Sequence, residues 1–283
     1  MKKGLLPLTL ALILIVCVTT PAAAITGGQP DGNGHPYGAL LIVPGYTFCS
    51  GTLIAANVVL TAGHCTSFWT AAGIPEVWIT FDAAASVDAE TWVPIPGQGT
   101  WYTTHAWVTH PGYDDAAWPF TWDYGLVFLD EPAVGITPAE LPMAGVVDEL
   151  VGTTGQTDEH FFDVGYGQNG VTVGGGPYTR NYDFVRKVSE QLYSPSQGTV
   201  GTQDARWLML INAPSKNFGG GCGGDSGSGI FLDVSSAYPD TVVAVHTGGY
   251  RLGYEGRLCG RITSLNHRID LPEVLGWIAA YLD

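Results

Sequence analysis

Trp122-Asp123-Tyr124-Gly125-Leu126-Val127-Phe128-Leu129 sets one carboxylate directly before a five-residue apolar run of strand length. Runs of the same kind, bounded by turn residues, recur at 39–43, 58–62, 77–81, 185–192, 207–211, 229–234 and 241–245. Strands at this density predict an all-β chain built as barrels or a sandwich. Gly and Pro together account for 57 of 283 residues, about a fifth, which suits turns between strands better than a helical bundle. One helix is expected, at the end, where Leu271, Val274, Leu275, Ile278 and Leu282 fall near helical spacing behind Pro272 in a first turn. The stretch 137–154, with Pro138, Pro142, Gly145 and Gly152, is the expected linker between two strand-rich halves.

Hydrophobic residues make up 46% of the chain and charged ones 13%, enough apolar surface to offset chain entropy with a packed core. The net charge of −15 repels phosphate backbones and anionic lipid, which argues against nucleic acid or a membrane surface as partner. Residues 1–24 have the pattern of a secretory signal peptide: Lys2 and Lys3, an apolar run from Leu5 to Val18, then Ala22-Ala23-Ala24 as the cleavage site. Its removal leaves 9 basic against 26 acidic residues, a net −17, and no membrane anchor, so a secreted, extracellular monomer is expected. Cys17 follows Val16, where lipidation requires a small residue, and is read as filler of the signal peptide.

Four cysteines then remain, Cys49, Cys65, Cys222 and Cys259, in an oxidising compartment where they can pair. Three connectivities are open. The local pairing, Cys49 with Cys65 and Cys222 with Cys259, closes loops of 16 and 37 residues and would contribute about 3–4 kcal/mol per bridge. There is no C-x-x-C pair and no EF-hand spacing, so no metal and no other cofactor is expected.

Three distant segments carry residues that make chemical sense together. Leu60-Thr61-Ala62-Gly63-His64-Cys65 puts a histidine just after an apolar strand, and Asp123 stands just before one. Gly219-Gly220-Gly221-Cys222-Gly223-Gly224-Asp225-Ser226-Gly227-Ser228-Gly229 surrounds a serine with glycines that free the backbone to point N–H groups at a substrate oxygen. A serine hydroxyl is a poor nucleophile until an imidazole takes its proton, and the imidazole needs a buried carboxylate to fix its tautomer and stabilise its charged form.

From Ile25 onward the chain resembles the chymotrypsin-like (trypsin-like) serine endopeptidases, in their secreted bacterial type. The resemblance rests on T-A-G-H-C at 61–65, D-x-G-L-V-x-L at 123–129 and G-D-S-G at 224–227, in the family's order. It implies two six-stranded antiparallel β-barrels with a C-terminal α-helix, residues 25–145 carrying His64 and Asp123 and 146–283 carrying Ser226 and the helix. It implies Ser226 as nucleophile, His64 as general base and acid, Asp123 as the orienting carboxylate, and the backbone N–H groups of Gly224 and Ser226 as oxyanion hole. Asp114, Asp115 and Asp130 compete for the carboxylate role by proximity alone, without the strand that follows Asp123. The resemblance also pairs the cysteines locally and likens Gly165-Tyr166-Gly167 to an element that opens the second barrel. His110 resembles a structural loop residue, and His35, His105, His160 and His267 match nothing catalytic.

Ser228 replaces the glycine that usually follows. The position six before the serine, Asp in enzymes that cut after Lys or Arg, is Gly220, so non-tryptic cleavage of protein or peptide substrates is expected. Val245-His246-Thr247-Gly248-Gly249 is expected to form the facing wall of the substrate pocket: Thr247 in place of a serine that bonds the carboxylate, Gly248 and Gly249 presenting backbone to an extended substrate. His246 is similar to a histidine of glutamyl endopeptidases, whose hydroxyl residue five before the nucleophile is here Gly221. Two preferences therefore stand, small or apolar side chains and Glu. Ile25-Thr26-Gly27-Gly28 resembles the mature start whose freed ammonium pairs with the residue here at Asp225 and orders the oxyanion loop. A non-catalytic binding protein on the same fold is the other functional class, and the three intact triad residues argue against it.

Overall fold

The computed structural model describes residues 25, 28–119, 121–151, 160–168, 182–193, 205–211, 219–233, 238–250 and 263–282. The expected signal peptide, Cys17, Thr26, Gly27 and Cys259 lie outside them.

The first half holds β1 (Gln29–Pro30), β2 (Gly38–Val43), β3 (Thr47–Ala55), β4 (Val58–Thr61), α1 (Gly63–Ala71), β5 (Val77–Thr80), β6 (Val87–Asp88), β7 (Val93–Pro94), β8 (Tyr102–Thr104), β9 (Ala106–Thr109) and β10 (Gly125–Phe128). After α2 (Val146–Val151) come β11 (His160–Gly165), β12 (Lys187–Tyr193), β13 (Trp207–Ile211), β14 (Gly229–Leu232), β15 (Val242–Tyr250), β16 (Thr263–Arg268) and α3 (Pro272–Ala279).

The first large sheet runs β8-β5-β2-β3-β4-β10-β9, every neighbouring pair antiparallel. Only His105 separates β8 from β9, so the two outer strands are halves of one bent strand and the sheet closes on itself as a six-stranded barrel. The second runs β12-β11-β14-β15-β16-β13 and closes where β13 pairs back to β12, Leu192 opposite Ile211 and Tyr193 opposite Leu210. Two six-stranded antiparallel barrels with a C-terminal helix are thus the observed fold. Closure leaves neither sheet a free edge, and the inward residues fill the cores: Leu41, Leu53, Val59, Ile79 and Leu126 in the first, Phe161, Leu208, Leu210, Ile230 and Val243 in the second.

Both ends of the chain cross to the opposite barrel. β1 adds to the outside of β12, Gln29 opposite Val188, while α3 buries Val274 and Ile278 in the core of the first barrel. Arg186, fully buried, fastens the N-terminal crossing: it reaches Asp31 Oδ2 at 2.8 Å and the carbonyls of Gly32, Gly38 and Phe81 at 2.8, 3.2 and 2.7 Å. A guanidinium taken out of water needs such saturation, because an unpaired buried charge is costly.

The stretch expected as linker is docked on both barrels and contains a helix that was not expected. Ala139 N–H donates to Leu53 O (2.9 Å) and Glu140 N–H to Asp240 O (3.0 Å), while α2 buries Val146, Val147 and Val151 against the second core. α1, which carries His64 just after the strand, is a second helix that the sequence pattern does not predict.

Candidate active site

His64 is the second residue of α1, reached directly from β4. Gly63 makes this entry possible, since a Cβ there would lie 2.9 Å from both the N and O of Tyr124. Asp123 precedes β10, which pairs with β4, Gly125 opposite Thr61, and this register sets the carboxylate beside the helix start. Asp123 Oδ1 accepts the backbone N–H of His64 at 2.7 Å, and Oδ2 lies 2.8 Å from His64 Nδ1. Asp123 is fully buried and the imidazole is one-third exposed.

The electrostatics follow from that pairing. Burial acts to raise the Asp123 pKa, but the His64 charge and the two hydrogen bonds from His64 overcome it and hold the carboxyl at about 2. Burial acts to lower the His64 pKa. The Asp123 charge, its hydrogen bond and the charge of Asp115 prevail and move it above its ordinary value. With Nδ1 committed to Asp123, Nε2 is the nitrogen left for a proton transfer.

Ser226 comes from the other barrel, in the turn before β14. Glycine is demanded here by close approach: Gly224 has φ +97° and a Cβ would lie 2.2 Å from the Phe48 ring, and Gly227 has φ +86° with Thr61 Oγ1 at 2.1 Å from its would-be Cβ. Ser50 of β3 carries the turn across the barrel interface. Its N–H donates to Ser226 O (2.8 Å), its hydroxyl to Gly224 O (2.9 Å), and it accepts the Tyr166 N–H (3.0 Å). A cleft of about 590 Å³ is lined by His64, Ser226, Gly224 and the Cys49–Cys65 pair among others, so the three expected oxyanion and nucleophile groups share one space with the imidazole.

Cys49 and Cys65 form a disulfide, Cα–Cα 6.6 Å, tying β3 to α1. Cys222 is disulfide-bonded, and Cys259, its expected partner, lies outside the described residues. Gly165 and Gly167 wrap the carboxylate of Asp225: a Cβ at either would come within 2.4 Å of it, and Gly167 N–H donates to Oδ1 at 2.7 Å while Cys222 N–H donates to Oδ2 at 2.9 Å. Burial and the charge of Asp163 push the Asp225 carboxyl well above the carboxylate range, against those two N–H groups and the charge of Lys187. Ile25 is fully buried, and as long as Ala24 precedes it its nitrogen is an uncharged peptide group.

Gly220 and Gly221 are buried beside β15. The His246 ring packs on Gly221, whose Cβ would meet Nε2 at 2.4 Å, and His246 Nδ1 lies 3.0 Å from both Ser264 Oγ and Asn266 Oδ1. Gly248 and Gly249 lie half-buried on β15, opposite Leu265 and Ser264. Thr247, expected beside the carboxylate, has its Oγ1 2.6 Å from His267 Nδ1, and His267 Nε2 donates to the carbonyl of Thr121 at 2.8 Å. His267 itself, read as structural, is near enough that its charge helps lower the Asp123 pKa.

The remaining candidates separate cleanly. Asp130 pairs with the exposed His105 (2.9 Å), His35 with Asp31 (2.5 Å) and His160 with Glu190, while His110 stacks on Trp122. Asp114 caps a short 3₁₀ turn, Asp115–Ala117. Asp115, a competitor for the carboxylate role by proximity, acts on His64 through its charge instead. Ser50 and Asp163 are the residues that sequence reasoning missed, the latter fully buried and accepting the Ser228 hydroxyl at 2.5 Å. An acid in the middle of the otherwise apolar Phe161-Phe162-Asp163-Val164 is the one signal that marks it.

A family model described as Trypsin matches residues 25–268. The chain belongs to the trypsin family. A curated relative named "Trypsin", from Saccharopolyspora erythraea, is 30% identical over 242 residues, spanning 79% of this chain and 99% of that protein. Two solved structures speak for the trypsin-family fold at 17% identity. Neuropsin, described as a serine protease expressed in the limbic system of mouse brain, aligns with a TM-score of 0.64 over 92% of this chain and all of its own; a protein titled HL collagenase aligns at 0.63 over 90% and 97%. As a trypsin-family member the chain is a serine endopeptidase that acts on proteins or peptides. Among the described residues no helix is long and apolar enough to cross a membrane.

Proposed function

We propose that the chain is exported, loses residues 1–24 and works outside the cell as a monomeric serine endopeptidase of non-tryptic specificity, using His64, Asp123 and Ser226. The observation that carries the assignment of roles is the His64–Asp123 pair at 2.8 Å in the cleft that also contains Ser226. Ser226 Oγ attacks the peptide carbonyl carbon while His64 Nε2 takes its proton. The buried Asp123 carboxylate stabilises the imidazolium, and the N–H groups of Gly224 and Ser226 receive the oxyanion. His64 then protonates the departing amine, and water, deprotonated by the same nitrogen, releases the acyl group from Ser226.

Residues 25–145 and 146–283 act as the two domains, the site lying where Ser50 joins them. Gly220 and Gly221 bring no charge to the pocket, and the His246 ring occupies the space next to Gly221, which supports small or apolar side chains or Glu over Lys and Arg. Release of the Ile25 ammonium would supply the buried Asp225 with a counter-charge, the family's way of ordering the oxyanion loop.

Diisopropyl fluorophosphate should label Ser226 and abolish hydrolysis, and Ser226→Ala should be inert. A Ser226→Ala variant with full activity overturns the assignment. Digestion of a peptide library, read by mass spectrometry, should show few cuts after Lys or Arg, and a strong tryptic pattern overturns the specificity. N-terminal sequencing of the secreted protein should give Ile25, and two extra residues before it should lower activity. Equal activity of the extended form rules out the ion pair.

A further inference from the structure

The cleft that holds His64 and Ser226 is lined from several elements. Tyr113 and Asp115, whose side chains are joined at 3.1 Å, bring it one carboxylate, whose charge acts on the imidazole. Thr47 on β3, the Cys49–Cys65 disulfide and Phe68 on α1 line it with neutral side chains. Phe68 is 43% exposed and Tyr46, next to Thr47, 56%. Their rings stack with centroids 5.8 Å apart and planes 17° from parallel. Two large aromatics left together in water beside these neutral side chains form an apolar surface on a chain that is otherwise strongly acidic.

The pair is also held firmly. Tyr46 sits in the tight β2–β3 turn, its N–H bonded to Val43 O at 3.0 Å beside Gly45 at φ +72°. Phe68 follows the disulfide by three residues on α1, and the fully buried Trp69 behind it packs edge-on against Trp107. Rigid aromatics recognise an apolar side chain with little ordering cost on the protein side.

A peptide bond attacked by Ser226 sends its two halves in opposite directions. The amine half receives its proton from His64, so it departs past α1, the helix that carries His64 and, one turn further on, Phe68. We propose that Phe68, backed by Tyr46, is a specificity determinant on the leaving-group side: one of the first two residues after the scissile bond is bound there and is preferred aromatic or large aliphatic. The inference rests on the reading of Ser226 and His64 as the catalytic pair.

Acyl transfer tests it without knowledge of the acyl-side preference. The enzyme is acetylated on Ser226 by p-nitrophenyl acetate, and the acetyl-enzyme is partitioned between water and a dipeptide amide. The amine nitrogen attacks the acyl carbon, the bond to Ser226 Oγ breaks, and the proton returns to Oγ through His64, giving N-acetyl peptide and free enzyme. Acceptors are Phe-Ala, Ala-Phe, Ala-Ala and Ala-Asp amides, and the readout is the ratio of aminolysis to hydrolysis, which is insensitive to how fast the acyl-enzyme forms. One Phe-containing acceptor should beat Ala-Ala roughly tenfold, in keeping with burial of one aromatic ring, and Ala-Asp should be poorest. Phe68→Ala should erase most of that preference, Tyr46→Ala should reduce it, and Phe68→Leu should keep an aliphatic preference. A variant that is merely damaged moves all acceptors together. Equal partitioning of all acceptors in the parent enzyme, or an unchanged Phe preference in Phe68→Ala, overturns the proposal while leaving the catalytic pair in place. Failure of the ester to acylate Ser226 at all overturns both.

Discussion

Replacing Ser228 by Ala removes one hydroxyl two residues beyond the proposed nucleophile and deprives Asp163 of its nearest donor. Ser228 Oγ stands 2.5 Å from Asp163 Oδ1, whereas Gln191 Nε2 makes a long bond of 3.5 Å to the other oxygen and His246 Nδ1 lies 3.9 Å from that oxygen. A hydrogen bond to a charged group contributes about 1.5–3 kcal/mol, and here its loss leaves a fully buried acceptor behind. At roughly 2–4 °C per kcal/mol for a chain of this size, the melting temperature should fall by about 3–12 °C. Activity should fall as well. The same residue ties the nucleophile turn through its N–H to Asp225 O (2.7 Å) and its carbonyl to His246 N–H (2.8 Å).

The effect should depend on pH. Burial raises the Asp163 pKa above its ordinary value, against the His246 charge and the bonds from Ser228 and Gln191, and removing Ser228 raises it further. A carboxyl whose folded pKa exceeds its unfolded one keeps a proton that the unfolded chain has given up. Stability is therefore lost as pH rises from the unfolded value through the folded one, and the variant loses more. Parent and variant should differ least at low pH, where Asp163 is protonated in both, and most above the variant's folded pKa. Urea unfolding followed by tryptophan fluorescence at a series of pH values, with kcat on a peptide substrate beside it, measures this. A difference that stays flat with pH, or falls below about 0.5 kcal/mol at every pH, would show that Ser228 does not solvate an ionised Asp163 and would refute the reasoning.

Asp123→Asn should lower kcat/KM by about 10⁴-fold with the fold intact, measured per active site by titration with diisopropyl fluorophosphate. The acid limb of kcat/KM should have its midpoint above 6.5, because the proton must leave an imidazole whose pKa is raised, and Asp115→Asn should move that midpoint down. In stability the same pair acts with opposite signs: the His64 contribution is present below 6.5 and is lost as pH rises through its folded value, while the Asp123 contribution is present above 3.8 and is lost as pH falls through about 2. Arg186→Met should cost about 3–5 kcal/mol in urea unfolding, since the buried Asp31 then keeps only His35 and the carbonyls of Gly32, Gly38 and Phe81 lose the guanidinium, and a loss under 1 kcal/mol would count against the clamp at the N-terminal crossing.

The strand runs, the terminal helix and the three chemical segments were legible because each is local: an apolar run of strand length, a helical spacing behind Pro272, an Asp before a strand, a Ser among glycines. Among the strands without a sequence signal are polar ones. β16 is Thr263-Ser264-Leu265-Asn266-His267-Arg268 and every residue of it is buried, with Asn266 and Ser264 bonded to His246 and Arg268 to Asp270. Its polar groups are satisfied by partners from β15 and from the chain that follows, so no hydrophobic period marks it. β3 escaped for the same reason, its Ser50 serving the neighbouring barrel. α1 has apolar and polar residues on all sides and is fixed by Cys65 and Trp69.

The sequence by itself determined the all-β class, the disulfide-compatible cysteine set and the candidate residues His64, Asp123 and Ser226, since motif spacing and turn chemistry are written in neighbouring residues. Tertiary structure alone decided closure of the two barrels, through the bend at His105 and the pairing of β13 back to β12. It also decided that N- and C-terminal segments exchange barrels, that Thr247 serves His267, and that Asp163 and Ser228 stand behind the nucleophile turn. These are contacts between residues up to 120 or more positions apart, such as Asp225 with Gly167 and Arg268 with Asp148. Their energy comes from desolvating one polar group against another, and that depends on where closure of the sheets brings the two together.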